Sequence, residues 1–243
     1  MARKNFKPGT LHAPLPAVMA TVGDMENSNI ITVAWTGILS SEPPRTYISV
    51  RPSRHSHKIL SETKEFVINL TTEKLAYATD YAGIYTGAKV DKFEKLSLSK
   101  VKSQEVSAPT IAESPLALEC KVFDVLHFGT HDVFMADIVN VSCDESLLDE
   151  KGKICLDRAG LMAYAHGEYF TLGKALGKFG FSVAKDTKKP ASALATKKAC
   201  ESAIKKDSSS EKKDSLLKGD AKKPFYEKYV RRGKRNPSKK RGK

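Results

Sequence analysis

Leu116–Phe128 reads LALECKVFDVLHF, and after Gly129-Thr130 the chain runs on through Val133–Val141 as VFMADIVNV. Apolar residues recur at every second position: Leu116, Leu118, Cys120, Val122 and Leu126 can share one face of the first run. A period of two belongs to a strand, whose successive side chains point to opposite faces. Two such runs joined through a glycine turn predict a long antiparallel hairpin. Working outward, Ala17–Gly23 (AVMATVG), Ile30–Gly37 (IITVAWTG), Thr46–Val50 (TYISV) and Phe66–Leu70 (FVINL) read as shorter strands, with Asp24–Asn29 as a polar turn. Ser53–Lys64 has a helical pattern anchored by Ile59 and Leu60. Thr72–Ala82 places Leu75, Ala78 and Thr79 at helical spacing. Residues 1–16 form an extended arm, 84–115 are irregular, and Leu161–Leu172 is a last apolar patch. The helices are few and do not alternate regularly with the strands, which argues against a doubly wound parallel sheet. The fold class expected is mainly β with a few helices, a Greek-key-like barrel.

The net charge of +13 is unevenly placed. From Lys185 to Lys243 there are 21 Lys+Arg against 7 Asp+Glu, so the rest of the chain keeps 20 of its 41 basic and 21 of its 28 acidic residues. Residues 1–183 are therefore expected to form the folded domain, and 184–243 a basic, Lys-rich, disordered tail too poor in apolar surface to offset chain entropy. Pro224–Val230 (PFYEKYV) is the exception that could dock. Tyr229–Lys243 allows two readings, a solubilising segment or a nucleic-acid contact made through Arg, Lys and an adjacent Tyr. Cys120, Cys143, Cys155 and Cys200 form no Cys-x-x-Cys pair, and no His/Cys cluster has zinc-ligand spacing, so reduced thiols and no metal are expected. The N-terminus does not resemble a signal peptide, and no stretch reaches the roughly 20 apolar residues that span a bilayer, so a cytoplasmic protein without membrane contact is expected.

Three segments carry chemistry. Ser49-Val-Arg-Pro-Ser-Arg-His-Ser56 follows a strand and opens a helix. Arg51, Arg54, His55, the Ser56 hydroxyl and free N–H groups at a helix start make an anion site; the alternative is an exposed basic turn. Asn29–Gly37 holds the single tryptophan, Trp35, beside Thr32, Thr36 and Gly37. It suits either one wall of a flat-ring site or a core position. Thr86-Gly-Ala-Lys-Val-Asp-Lys-Phe93 offers a hydroxyl and a cation to a phosphate, or else is a solvated loop with an Asp91/Lys92 pair.

In order and spacing, these runs resemble the flavin reductase-like domain, most closely its flavoredoxin branch. Phe66-Val-Ile-Asn-Leu70, Gly83, Leu118-Glu-Cys120, Gly167-Glu-Tyr-Phe-Thr-Leu-Gly173 and Phe179-Gly-Phe-Ser182 fit as well. The resemblance implies an FMN-binding split β-barrel, with non-covalent FMN and a homodimer. It implies an oxidoreductase transferring electrons, with NAD(P)H or a redox protein as donor. Carried over by position, Thr32, Ala34, Trp35 and Thr36 flank the flavin. Arg51, Arg54, His55, Ser56 and Lys92 hold the phosphate. Ser49, Val50, Asn69 and Leu70 line the ring, and Thr86 and Gly87 close the phosphate side. His131, in Gly129-Thr-His131, is either a residue near the flavin or a turn histidine. No Gly-x-Gly-x-x-Gly fingerprint is present, so NAD(P)H would not bind in a Rossmann manner. The alternative function is an FMN-binding or electron-carrier module without NAD(P)H turnover, or one that also binds RNA through the tail.

Overall fold

A computed structural model describes residues 3–183. The expectations placed on the tail and on Cys200 lie outside the described residues. Residues up to Ala175 form one compact unit. Leu176–Val183, taken by itself, holds two turns in which Phe181 N–H donates to Lys178 O and Val183 N–H to Gly180 O. Among the described residues no helix is long and apolar enough to cross a membrane.

The elements follow in chain order. The arm ends in β1 (Leu15–Pro16), then β2 (Val18–Gly23), β3 (Ser28–Val33), β4 (Thr36–Ser41), β5 (Pro44–Val50), α1 (His55–Thr63) and β6 (Glu65–Asn69). A 3-10 turn at Glu73–Leu75 leads into α2 (Ala76–Ile84). The irregular region holds α3 (Lys92–Leu96) and the short pair β7 (Lys100–Val101) and β8 (Thr110–Ile111). The hairpin read from sequence is β9 (Leu116–Phe128) and β10 (His131–Cys143), and β11 (Met162–Ala165) and β12 (Glu168–Thr171) close the unit.

Seven strands share one antiparallel sheet in the order β3-β2-β6-β9-β10-β5-β4, and β1-β11-β12 make a second sheet. Consecutive strands β3 and β4 thus occupy opposite edges of the large sheet, although only Ala34 and Trp35 separate them. In a flat sheet, six inter-strand gaps of about 4.8 Å would hold these edges roughly 29 Å apart. Three Cα steps reach only about 10 Å. The sheet therefore curls until its edges approach, leaving a seam that two residues bridge. This is a split barrel of mainly β structure.

The core explains the sequence pattern. Val18, Ala20 and Val22 pack with Ile48, Phe66, Ile68, Phe134 and Leu60 of α1. Met19 and Ile30 face the other way, onto Leu75, Ala78 and Ala82 around α2 and onto Phe93. Covered on both faces, β2 is buried at every position.

Two expectations about the strands are corrected. Ile30–Gly37 is not one strand: β3 stops at Val33 and β4 begins at Thr36, because the chain crosses the seam between them. In β9, Leu126 is exposed and Val125 packs against the core instead. The register shows why: Met135 pairs with Asp124 but Ala136 with Val122, so Phe123 is an extra residue, and the bulge reverses which parity faces inward.

Candidate functional site

The anion end is built where the chain leaves β5. Arg51–Arg54 turn the chain, Arg54 takes the N-cap position in extended conformation, and His55 starts α1. Arg54, His55 and Ser56 line a cavity of about 80 Å³ together with Asn29 from β3 and with Thr86, Gly87 and Lys92. Asn29 Nδ2 donates to Ser56 Oγ at 2.7 Å. Gly87 lies so close to Asn29 that a Cβ there would stand 2.2 Å from its Oδ1, so this loop approaches only as glycine. Lys92 is 3% exposed, and its Nζ donates to Ile30 O (2.6 Å) and Ala82 O (2.7 Å). Burial, helped by the nearby Arg54 cation, brings its pKa down to about 8. Asp91 does not pair with Lys92; it caps α3, accepting from Phe93 N–H and Glu94 N–H.

A wider cavity of about 330 Å³ adjoins this one, with Ile31, Arg54 and Gly83 lining both. Thr32 of β3, Ala34 and Trp35 at the seam, and Ser49, Val50 and Arg51 at the end of β5 line the wider one. Ser49 N–H donates to Trp35 O at 2.9 Å, which ties β5 to the crossing. His131, from the first position of β10, lines the same cavity, its ring 4.4 Å from that of Trp35 between centroids. Burial and then the Arg51 cation hold its pKa below the ordinary imidazole value, partly countered by Asp132. α2 and the small sheet contribute to the same cavity. Asp80, Ile84, Tyr164 and Tyr169 line it, and Tyr169 Oη donates to Asp80 Oδ1 at 3.2 Å. Burial and that carboxylate push the Tyr169 phenol up to about 12.

Most of the residues expected at the site are brought together, with four changes. Arg51 lines the wide cavity rather than the small one, because it precedes the turn that carries Arg54 to α1. Thr36 spends its hydroxyl on Tyr47 O (2.6 Å) within the β4–β5 pair. Asn69 is fully buried and structural: its Nδ2 donates to Met19 O (3.0 Å) and its Oδ1 accepts from Ile111 N–H (2.9 Å). Leu70 packs against the barrel core and lines neither cavity. Asp80, Tyr164 and Tyr169 were not assigned from sequence: Tyr169 lies in the Gly167–Gly173 run, which carries the resemblance without marking a ligand contact, and Asp80 and Tyr164 lie outside the runs quoted for it.

The family profile described as Flavin reductase like domain matches residues 11–173. The chain belongs to the flavin reductase-like family. The chain is similar to the flavoredoxin of Desulfovibrio vulgaris (Miyazaki F), with a TM-score of 0.70 and 30% identity, covering 75% of this chain and 100% of that one. An uncharacterized protein of Archaeoglobus fulgidus is 33% identical over 150 residues, which is 62% of this chain and 84% of that protein. The reductase component of an FADH(2)-dependent resorcinol hydroxylase of Rhizobium sp. is 24% identical over 168 residues, 66% of this chain and 90% of that one. These likenesses place this flavin reductase-like protein on the flavoredoxin branch and make it a flavin-related oxidoreductase with a flavin cofactor.

The residues present fit a flavin. The wide cavity offers aromatic and backbone surface for a ring, and the adjoining small one offers cations and hydroxyls for an anion.

Proposed function

We propose that the protein binds FMN non-covalently and passes electrons through it, drawing them from NAD(P)H or from a redox-protein partner. The observation that carries this reading is the small second compartment. About 80 Å³ lined by Arg54, Ser56 and Lys92 suits a phosphate-sized group. Lys92, Arg54 and Ser56 would serve a phosphomonoester with charge-assisted and hydroxyl hydrogen bonds; riboflavin offers them nothing. When bound, FMN supplies hydride or single-electron acceptance, and the protein supplies binding and orientation. Trp35 and His131 form a tilted aromatic pair against which a planar ring can lie. Burial and the Arg51 cation disfavour a positive charge on the His131 imidazole. With no dinucleotide fingerprint in the chain, a nicotinamide donor would lie against the open side of the ring. The names of the relatives support both roles, reductase and electron carrier.

The same reading makes the protein a homodimer. Ile38, Leu39, Phe123, Leu126 and Phe128 are exposed large apolar residues of β4 and β9, which supports an interface there. Sedimentation of the purified chain checks it.

The deciding experiment is the absorbance spectrum of protein purified without added flavin, followed by anaerobic titration with NADH and NADPH. A yellow protein bleached by either nucleotide is a reductase, and one bleached by neither is a carrier. A colourless protein that takes up no FMN at micromolar concentration overturns the reading.

A further inference from the structure

Asp132 stands second in β10, beside His131 of the wide cavity, yet its carboxylate is engaged elsewhere. His57 Nε2 lies 2.7 Å from its Oδ2 and His127 Nδ1 lies 2.7 Å from its Oδ1. Asp132 is 8% exposed, and neither cavity is lined by it, by His57 or by His127. His57 belongs to the first turn of α1, directly after His55 and Ser56 of the anion compartment, and packs edge-on against Phe134 with centroids 5.3 Å apart. Asp132 and Phe134, two positions apart, therefore present the same face of β10 to α1. His127 comes from β9, directly opposite Asp132. One carboxylate thus joins the helix that carries the anion end to the strand that carries the ring end.

A carboxylate this far from water is costly unless it is paired. Packing alone would be served by an apolar residue. What the pairing adds is a fixed spacing between two subsites. A ligand that fills only the ring cavity is indifferent to that spacing, whereas a ligand anchored at both ends feels a small misplacement at each.

We infer that Asp132 is a positioning residue: through His57 it sets the distance between the start of α1 and the start of β10, and with it the preference for a phosphorylated flavin over riboflavin. This rests on the FMN reading above. His127 braces the carboxylate from the solvent side, with 77% of its side chain exposed.

The test titrates the full chain with FMN and with riboflavin, following flavin fluorescence, in the parent and in Asp132→Ala and His57→Phe. The second variant keeps a ring against Phe134 and removes the nitrogen. Each is expected to weaken FMN by about tenfold while riboflavin changes by less than about twofold. His57→Gln, which retains a donor towards the carboxylate, is expected to recover most of the FMN affinity. The inference is overturned if the variants keep the parent's FMN-to-riboflavin ratio, or lose both ligands equally as a purely structural role would give. Should Asp132→Ala fail to fold, His57→Phe and the exposed His127→Ala decide the matter by the same ratio. A parent that binds riboflavin as tightly as FMN would sink the FMN reading itself. A parent preference that survives in every variant would sink only the positioning role.

Discussion

Lys92 is a cation held away from water with only two carbonyls for company, and its pKa of about 8 in the free protein records that cost. A phosphate placed beside it favours the charged form and raises the pKa again. Binding of FMN therefore takes up protons near pH 8. Its affinity is expected to fall as pH rises through that value, while riboflavin affinity stays level. Lys92→Met is expected to remove the pH dependence, and isothermal titration at pH 7 and pH 9 reads all three. Arg54 lines both compartments, and Arg54→Ala is expected to cost FMN about 1.5–3 kcal/mol, the worth of a charge-assisted contact, measured as a change in Kd. At this scale the sequence was legible where function is local. Ser49–Ser56 is one continuous run, and most of it lines the site. Asn69 was misread because a polar residue at a strand end looks the same whether it serves a ligand or satisfies backbone groups; its partners, Met19 and Ile111, are far away in the chain.

Elements were legible in kind and less so in parity. The long hairpin was evident because two alternating runs flank a short turn, but a bulge leaves no mark in composition, and Phe123 shifted the inward face from Leu126 to Val125. The end of β3 was hidden in the same way, since IITVAWTG stays strand-like across the seam. Next to these features, Glu119 fastens β9 to the loop before it. It is 1% exposed and accepts from Gln104 N–H (3.1 Å), Glu105 N–H (2.6 Å) and Asn140 Nδ2 (2.9 Å). Burial works against ionisation, but these donors prevail and hold its carboxyl below the ordinary value of 4.5. A carboxyl with a depressed folded pKa contributes stability above its unfolded pKa and loses that contribution as pH falls through the folded one. Glu119→Gln is expected to lower stability by roughly 1–3 kcal/mol at neutral pH, because an amide N–H₂ then faces donors. The gap between parent and variant is expected to close below about pH 4.5, as read by urea unfolding across that range.

For the whole molecule, the described residues that line the two compartments run from Ala17 to Tyr169. A chain ending at Val183 is accordingly expected to keep its flavin, with the same ratio of visible to ultraviolet absorbance as the full chain. Loss of colour on that truncation would move part of the site into residues 184–243. Topology is the part of the site least visible in local sequence: Tyr164 and Tyr169 share the wide cavity with Trp35, and β1 pairs with β11 of the final hairpin. The seam has one more consequence. Where most barrels are stitched shut by a last ladder, this one leaves its margins β3 and β4 apart and bridges them with Ala34 and Trp35. A cofactor lodged there acts as the missing stitch. Saturating flavin is expected to slow deuterium uptake in peptides covering 28–36 and 48–54 and to leave most of the 116–143 hairpin unchanged.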